Sequence, residues 1–298
     1  MKDTSSSNDW TTRPAAKSGQ FAIGGELQVN RLGFGAMRIT GNGIWGPPKD
    51  RAESVRVLRR SIELGINFID TADSYGPSVS EEIIAEALHP YHEGLVIATK
   101  AGFDRTGPNQ WVMNGKPKHL REALEGSLKR LRLDHIDLYQ LHRIDPEVPV
   151  EDQLGTFKDF QSEGKIKHVG LSEVSVEQIK HARKIVPIVS VQNRYSVADR
   201  AAEDVLEYCE KENIAFIPWF PLAAGDVSKS GHEIERAAGD LKITPSQLAL
   251  AWLLWRSPVI LPIPGTSSVK HLEENVATAA LKIEPSKLKN LGKMARGA

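Results

Sequence analysis

Four side chains able to hold or move a proton fall at the ends of short apolar runs. Asp70 closes Asn67-Phe68-Ile69-Asp70, and Tyr75 follows in a small, turn-rich loop. Lys100 ends Leu95-Val96-Ile97-Ala98-Thr99-Lys100, and His142 comes directly after the run 136–141. Taken singly, each has an ordinary explanation. Asp70 could cap a loop, Tyr75 could be an amphipathic surface residue, Lys100 a snorkelling stem and His142 a satisfied core histidine. Taken together on successive strands, they would converge. Asp70 would then keep the Lys100 ammonium charged and fixed. That ammonium would favour phenolate at Tyr75 and pull the phenol below its usual ~10. His142 could donate a hydrogen bond to a carbonyl oxygen and polarise it. The set suits protonating an oxygen while something else reduces the attached carbon.

The surrounding pattern supplies elements to position these groups. Apolar runs near residues 34, 69, 97, 138, 170, 190, 217 and 261 are continuous rather than alternating, as in parallel strands covered on both faces. Amphipathic stretches separate nearly all of them. Arg51–Leu64 puts Val55, Leu58 and Ile62 on one face; His119–Leu131 does the same with Leu120, Leu124, Leu128 and Leu131. Thr244 followed by Pro245 marks a helix start. Eight strand–helix units predict an α/β protein, a closed (β/α)8 TIM barrel forming a single domain over residues 21–298. A β-hairpin over Phe21–Val29, turning at Gly24-Gly25, precedes it. Leu32–Arg38 reads as a Gly-rich strand whose glycines permit a close backbone approach. Gly33-Phe34-Gly35 does not extend to a dinucleotide fingerprint, since Arg38 takes the sixth position and no helix follows. The stretch after Lys100, with Phe103, Asp104, Trp111 and Asn114, reads as a functional loop of roughly sixteen residues.

Composition narrows the rest. The chain has 298 residues, 40% of them hydrophobic, with 24 Gly, enough for a large core. Lys+Arg and Asp+Glu balance at 38 each, which gives no support for a nucleic-acid or anionic-membrane partner. Cys209 is the sole cysteine, so no disulfide framework exists and a reducing, cytoplasmic setting is expected. Residues 1–20 are polar and lack the apolar segment of a signal peptide; a disordered tail is expected there. No run is apolar enough to span a bilayer, and no metal site is expected.

The order and placement of these residues resemble the aldo-keto reductase superfamily from about Val29 to Asn290. The motif Asp70-Thr71-Ala72-Asp73-Ser74-Tyr75-Gly76, Lys100, His142 after Gln140-Leu141, Gly170-Leu171-Ser172, Val191-Gln192-Asn193 and Ile263-Pro264-Gly265-Thr266-Ser267 carry the resemblance. It implies a catalytic tetrad of Asp70, Tyr75, Lys100 and His142, with Tyr75 the proton donor and NADPH the hydride donor. It also implies cofactor contacts. Gly35, Ala36 and Met37 would pass under the nicotinamide ribose, with Asp70 beside them. Ser172, Glu173 and Gln192 stand at the carboxamide and Trp219 stacks on the ring. Phe220 and Pro221 lead into Leu222 to Gly225, which would form the loop over the pyrophosphate. Gly265 would also touch the cofactor; Thr266, Ser267 and Lys270 would hold the 2′-phosphate, and Glu274 and Asn275 the adenine. Helix dipole and amides near Ser268 would favour a phosphate.

Two departures stand out. Glu173 occupies a position where most members have Asn, and a carboxylate cannot donate as an amide does. His271 stands where an Arg is common, so preference for NADP over NAD rests on Lys270 and hydroxyls. Ile44, Trp45, Phe103, Trp111 and Trp219 on the substrate loops suggest an aromatic-lined mouth for an aldehyde or ketone. The runs 46–51 and 263–269 resemble a bacterial subgroup that includes pyridoxal reductases. Other relatives, such as potassium-channel β subunits, bind the nucleotide and act mainly as regulatory or sensing proteins. A Schiff-base aldolase using Lys100 is a third possibility, though Asp70 opposes the pKa drop that an amine nucleophile needs.

Overall fold

In the computed structural model, which describes residues 9–219 and 232–294, strands and helices alternate around a closed barrel. The chain enters through a short 3-10 turn, Pro14–Ser18, and a hairpin of β1 (Gln20–Ile23) and β2 (Leu27–Asn30). Then follow β3 (Phe34–Gly35), α1 (Arg51–Glu63), β4 (Phe68–Asp70), α2 (Val79–Leu88) and β5 (Val96–Ala101). A second hairpin, β6 (Phe103–Gly107) with β7 (Gln110–Met113), precedes α3 (Pro117–Leu131) and β8 (Ile136–Leu141). The chain continues through α4 (Val150–Ser162), β9 (Ile166–Ser172), α5 (Val176–Ala182), β10 (Ile188–Gln192), α6 (Glu203–Glu212) and β11 (Ala215–Phe216). Four helices complete it: α7 (His232–Asp240), α8 (Pro245–Arg256), α9 (Val269–Ala277) and α10 (Pro285–Met294).

Seven strands form one parallel sheet in the order β11-β10-β9-β8-β5-β4-β3. Residues 259–263 take the eighth place. Phe216 N donates to Val259 O (2.9 Å) and Leu261 N to Phe216 O (2.8 Å), while Gly33 N donates to Pro262 O (2.9 Å). The sheet thus closes between its first and last members, as the eight apolar runs predict. The period-2 alternation of strands then sorts the side chains. Phe68, Val96, Ala98, Leu138, Ala215, Ile217, Leu261 and Ile263 fill the interior together with Ile23, Leu27 and Val29 of the first hairpin. Residues of the other parity, such as Ile69, Ile97, Tyr139 and Val169, pack under the helices.

The helix patterns hold in detail. Val55, Leu58 and Ile62 are buried on α1, whose N-cap Asp50 accepts from Glu53 N. Thr244 caps α8 with a full capping box to Gln247, and Pro245 opens the helix.

Several expectations are corrected. Residues 9–20 are not a disordered tail. Trp10 and Ala15 are buried, Trp10 Nε1 donates to Glu93 O (2.9 Å), and Arg13 Nη1 donates to Ile62 O (2.6 Å). One Trp and one Ala suffice to dock this segment on the barrel, a signal that the polar composition around them masks. The first hairpin turns through three residues, because Ile23 pairs with Leu27. Ala36 and Met37 lie in a 3-10 turn (Ala36–Ile39) rather than in a strand. The stretch after Lys100 is mostly the β6–β7 hairpin, and α7 has no counterpart in the sequence reading.

Gly35 shows what approaches the first strand: a Cβ built there would stand 2.5 Å from Ile263 O, and one on Gly265 2.6 Å from Gly35 O. The first and eighth strands meet backbone to backbone at the barrel's C-terminal end. Gly35→Ala is expected to lower stability by about 1–3 kcal/mol, the usual cost of overpacking. A urea midpoint equal to the parent's would refute this.

Candidate active site

Parallel register brings the strand ends level. Gly35 pairs with Asp70, Asp70 with Ala98, and Lys100 with Gln140. Each inward column is apolar below and polar at its last position: Phe68 then Asp70, Ala98 then Lys100, Leu138 then Gln140. The polar tips meet. Lys100 Nζ donates to Asp70 Oδ1 at 2.6 Å, to Thr71 O at 2.8 Å, and reaches Tyr75 Oη at 3.4 Å. Asp70 Oδ2 accepts from Gln140 Nε2 and Gln192 Nε2, both at 2.9 Å. Both charged groups are buried, Lys100 at 0% and Asp70 at 1% exposure, so their charges depend on this pairing together with the Thr71 carbonyl and the two Gln amides.

His142 lies beside Tyr75, ring centroids 5.9 Å apart, and its Nδ1 is 3.4 Å from Ser74 Oγ. The four groups proposed from the sequence are therefore neighbours in space. Burial holds the His142 pKa well below its ordinary value, reinforced by the positive charges of Lys100, Arg143 and Arg105; the imidazole is neutral. Burial disfavours the Lys100 ammonium, but Asp70 and Tyr75 outweigh it and the pKa rises. That direction is opposite to what an amine nucleophile requires. For Tyr75 the expectation is reversed. Burial raises the phenol's pKa, and the Lys100 charge only partly offsets it. Tyr75 is thus a protonated phenol beside a cation able to stabilise the phenolate once the proton leaves.

Around Tyr75 Oη stands an aromatic mouth. Trp111 lies edge-on to Tyr75 at 6.4 Å, Phe103 is 5.3 Å from Trp111 and 4.8 Å from His142, and Trp111 is 6.1 Å from His142. Trp45 sits on the loop bridged to Gly76. Of the residues read from the sequence as an aromatic mouth, Phe103 and Trp111 thus pack with Tyr75 and His142, and Trp45 stands on the adjoining loop.

Two arginines at the site escaped the sequence reading. Arg143 Nη1 donates to Ser172 Oγ (2.9 Å) and to His142 O (2.6 Å). It directly follows His142, and extending the strand-end rule by one residue would have found it. Arg105 lies on the less exposed side of β6 with Phe103, where an Arg interrupts the apolar alternation that would have marked the strand.

The other residues fall as follows. Ser172 and Gln192 are buried at the ends of β9 and β10. Glu173 adopts a left-handed backbone (φ 55°). Its Oε1 accepts from Trp219 Nε1 (2.5 Å) and Arg194 N (2.6 Å). The acid that replaces the usual amide is thus engaged in holding the indole. Gly35, Ala36 and Gly265 flank the first strand's end, with Met37 half-buried next to them. Thr266 Oγ1 accepts from Ser268 N (3.1 Å) at the entry to α9. Ser267 and Lys270 are exposed there, with Glu274 half-buried and Asn275 buried on α9. The first turn of α9 already has an anion: Glu53 Oε1 accepts from Val269 N at 3.1 Å. Phe220, Pro221 and Leu222 lie outside the described residues, as does the loop they lead into. Among the described residues, no helix is long and apolar enough to cross a membrane.

This arrangement can be set beside known proteins. Residues 31–296 match the model of the aldo/keto reductase family. An uncharacterised oxidoreductase of Schizosaccharomyces pombe is 54% identical over 269 residues, 90% of this chain and 87% of its own length. Pyridoxine 4-dehydrogenase of Escherichia coli is 42% identical over 285 residues, 94% of this chain and 99% of that protein. Among solved structures, an aldo/keto reductase of Klebsiella pneumoniae in complex with NADP and acetate superposes with a TM-score of 0.78. It shares 26% identity and covers 92% of this chain and 94% of its own. With the family model spanning nearly all of the barrel and with relatives of this identity, the chain belongs to the aldo/keto reductase family, a family of oxidoreductases acting on small-molecule carbonyl compounds.

Proposed function

We propose that this chain reduces an aldehyde or ketone to an alcohol with NADPH, using Tyr75 as proton donor assisted by Lys100, Asp70 and His142. The observation that carries the reading is the buried chain of contacts from Asp70 to Lys100 to Tyr75, which opens on an aromatic mouth. The chemistry of the flanking residues fits the cofactor. Ser172 offers a hydroxyl and Gln192 a carbonyl with no protein donor among the described residues, both suited to a carboxamide. Trp219, steadied by Glu173, offers a ring face. Thr266, Ser267 and Lys270 offer hydroxyls and an ammonium to a 2′-phosphate, with Glu274 and Asn275 beside them for the adenine. Glu53 at the first amide of α9 competes for any phosphate placed there.

Bound NADPH would supply a hydride, that is, two electrons and one proton, to the carbonyl carbon. The chain's own residues manage the oxygen. Tyr75 Oη gives its proton to that oxygen as negative charge develops on it. Lys100, held ionised by Asp70, stabilises the phenolate left behind, which regains a proton from water. The neutral His142 tautomer that accepts at Nδ1, 3.4 Å from Ser74 Oγ, would carry its proton on Nε2 and offer it to the carbonyl oxygen.

The Escherichia coli relative makes pyridoxal the first aldehyde to test. A fluorescence titration with NADPH and with NADH, followed by a panel of aldehydes with the preferred cofactor, tests the reading. NADPH is expected to bind the more tightly and to support turnover. Tight binding without turnover of any panel member would replace the reductase with a nucleotide-binding regulatory protein. Pyridoxal reduced no faster than 4-nitrobenzaldehyde would remove pyridoxal as the favoured substrate.

A further inference from the structure

We infer that Arg105 is the positioning residue that assembles the substrate mouth, and that the mouth so built selects planar aromatic carbonyl compounds over aliphatic ones. The inference rests on the reductase reading for its substrate and on geometry for its residue. Three separate segments form the mouth: the loop 41–46 after β3, the loop carrying Tyr75 after β4, and the β6–β7 hairpin after β5. Arg105 touches all three. Its Nη1 donates to Ser74 O (2.6 Å), directly before Tyr75, and its Nη2 to Gly43 O (3.2 Å). Within its own hairpin, Nε donates to Gln110 O (2.8 Å) and Nη2 to Gly107 O (3.3 Å).

The same guanidinium lies 3.7 Å from the Trp111 ring centroid and 5.7 Å from that of Trp45. Backbone bonds complete the rim: Asn109 N to Gly43 O (2.9 Å), Gly46 N to Gly76 O (2.6 Å) and Gly76 N to Ile44 O (3.3 Å). Only a flat, five-donor cation can bond carbonyls on three segments and at the same time cover an indole face. Its partners are all carbonyls, so no acid draws it away from the site. The ring it covers, Trp111, stands edge-to-face to Tyr75 and to Phe103, and His142 closes the cluster beside all three. A flat ring entering this space meets aromatic faces already fixed in place, and fixing them in advance removes an ordering cost from binding.

The test uses Arg105→Met in the full chain. Amide hydrogen exchange over residues 103–113 should speed up by about tenfold or more, since the hairpin loses its tie to Gly43 and Ser74. KM for 4-nitrobenzaldehyde should rise by about tenfold, the equivalent of one lost anchoring contact. KM for propanal and the affinity for NADPH should stay within about twofold, a change too small to represent such a contact. Arg105→Lys should not restore the aromatic KM, because a point charge supplies neither plane nor fork. Trp111→Leu, which removes the surface Arg105 covers, serves as a second variant and should likewise speed exchange over residues 103–113.

Unchanged exchange in the hairpin would overturn the positioning role. Equal changes in KM for both aldehydes would overturn the selectivity. A parent protein that reduces neither aldehyde would overturn the reductase reading and the selectivity with it, while exchange would still decide what Arg105 holds.

Discussion

Tyr75→Phe is expected to keep the fold and the NADPH affinity while kcat for aldehyde reduction falls about 10²–10⁴-fold, the usual worth of a positioned general acid. The substitution removes one oxygen, 3.4 Å from Lys100 Nζ, and leaves the ring with its edge contacts to Trp111 and His142. Tyr75 is only 6% exposed, but the loss creates no cavity larger than a hydroxyl, so stability should barely move. Single-turnover reduction after saturation with NADPH separates the chemical step from binding. Near-parental rates would mean that another group delivers the proton. The parent's pH profile gives a companion check. Because burial holds His142 well below its ordinary pKa and lifts Tyr75 above its own, reduction should show no limb near neutrality. Any loss of the acid form should come only on the alkaline side.

Lys100→Met is expected to be the most destabilising single change in the site, by about 3–5 kcal/mol, because it strands a buried carboxylate. Asp70 is 1% exposed, and Gln140 and Gln192 reach only its second oxygen. The loss corresponds to a fall in melting temperature on the order of 10 °C. The double change Lys100→Met with Asp70→Asn removes the stranded charge and should recover much of the loss. The raised Lys100 pKa fixes the pH dependence. Its contribution is fully present below the unfolded lysine value and disappears as pH climbs through the higher folded value. The gap between parent and Lys100→Met should therefore be constant at neutral pH and close only in strong alkali. A variant that melts within a degree of the parent at pH 7 would show that the pair contributes nothing net.

The barrel and its charged centre were readable because one rule governs both. Continuous apolar runs must be parallel strands covered on both sides, and the last inward position of each strand must face the active end. Asp70, Lys100 and His142 follow from that rule, and Tyr75 from the loop joined to Asp70. The direction of the Tyr75 pKa was not readable, because it depends on how deeply the ring is buried, which no spacing reports. Arg105 and the hairpin that carries it were missed for a related reason. Five-residue β6 alternates in exposure, but its less exposed positions hold Phe103, Arg105 and Gly107, and the Arg breaks the apolar pattern. Trp10 was missed because its burial depends on a surface far along the chain, where its indole donates to Glu93 O, 83 residues away. Glu173, by contrast, was visible as an anomaly. Its resolution, a carboxylate turned to the Trp219 indole, needed coordinates.

The first hairpin has one further implication. Ile23, Leu27 and Val29 stopper the barrel at the end opposite Tyr75, sealed against Phe68, Val96 and Leu138. Packed through its length and closed at that end, the interior offers water no path from below. Among the described residues, the phenol's proton can therefore be replenished only from the face that carries Trp111 and Phe103, the face on which a carbonyl compound would sit.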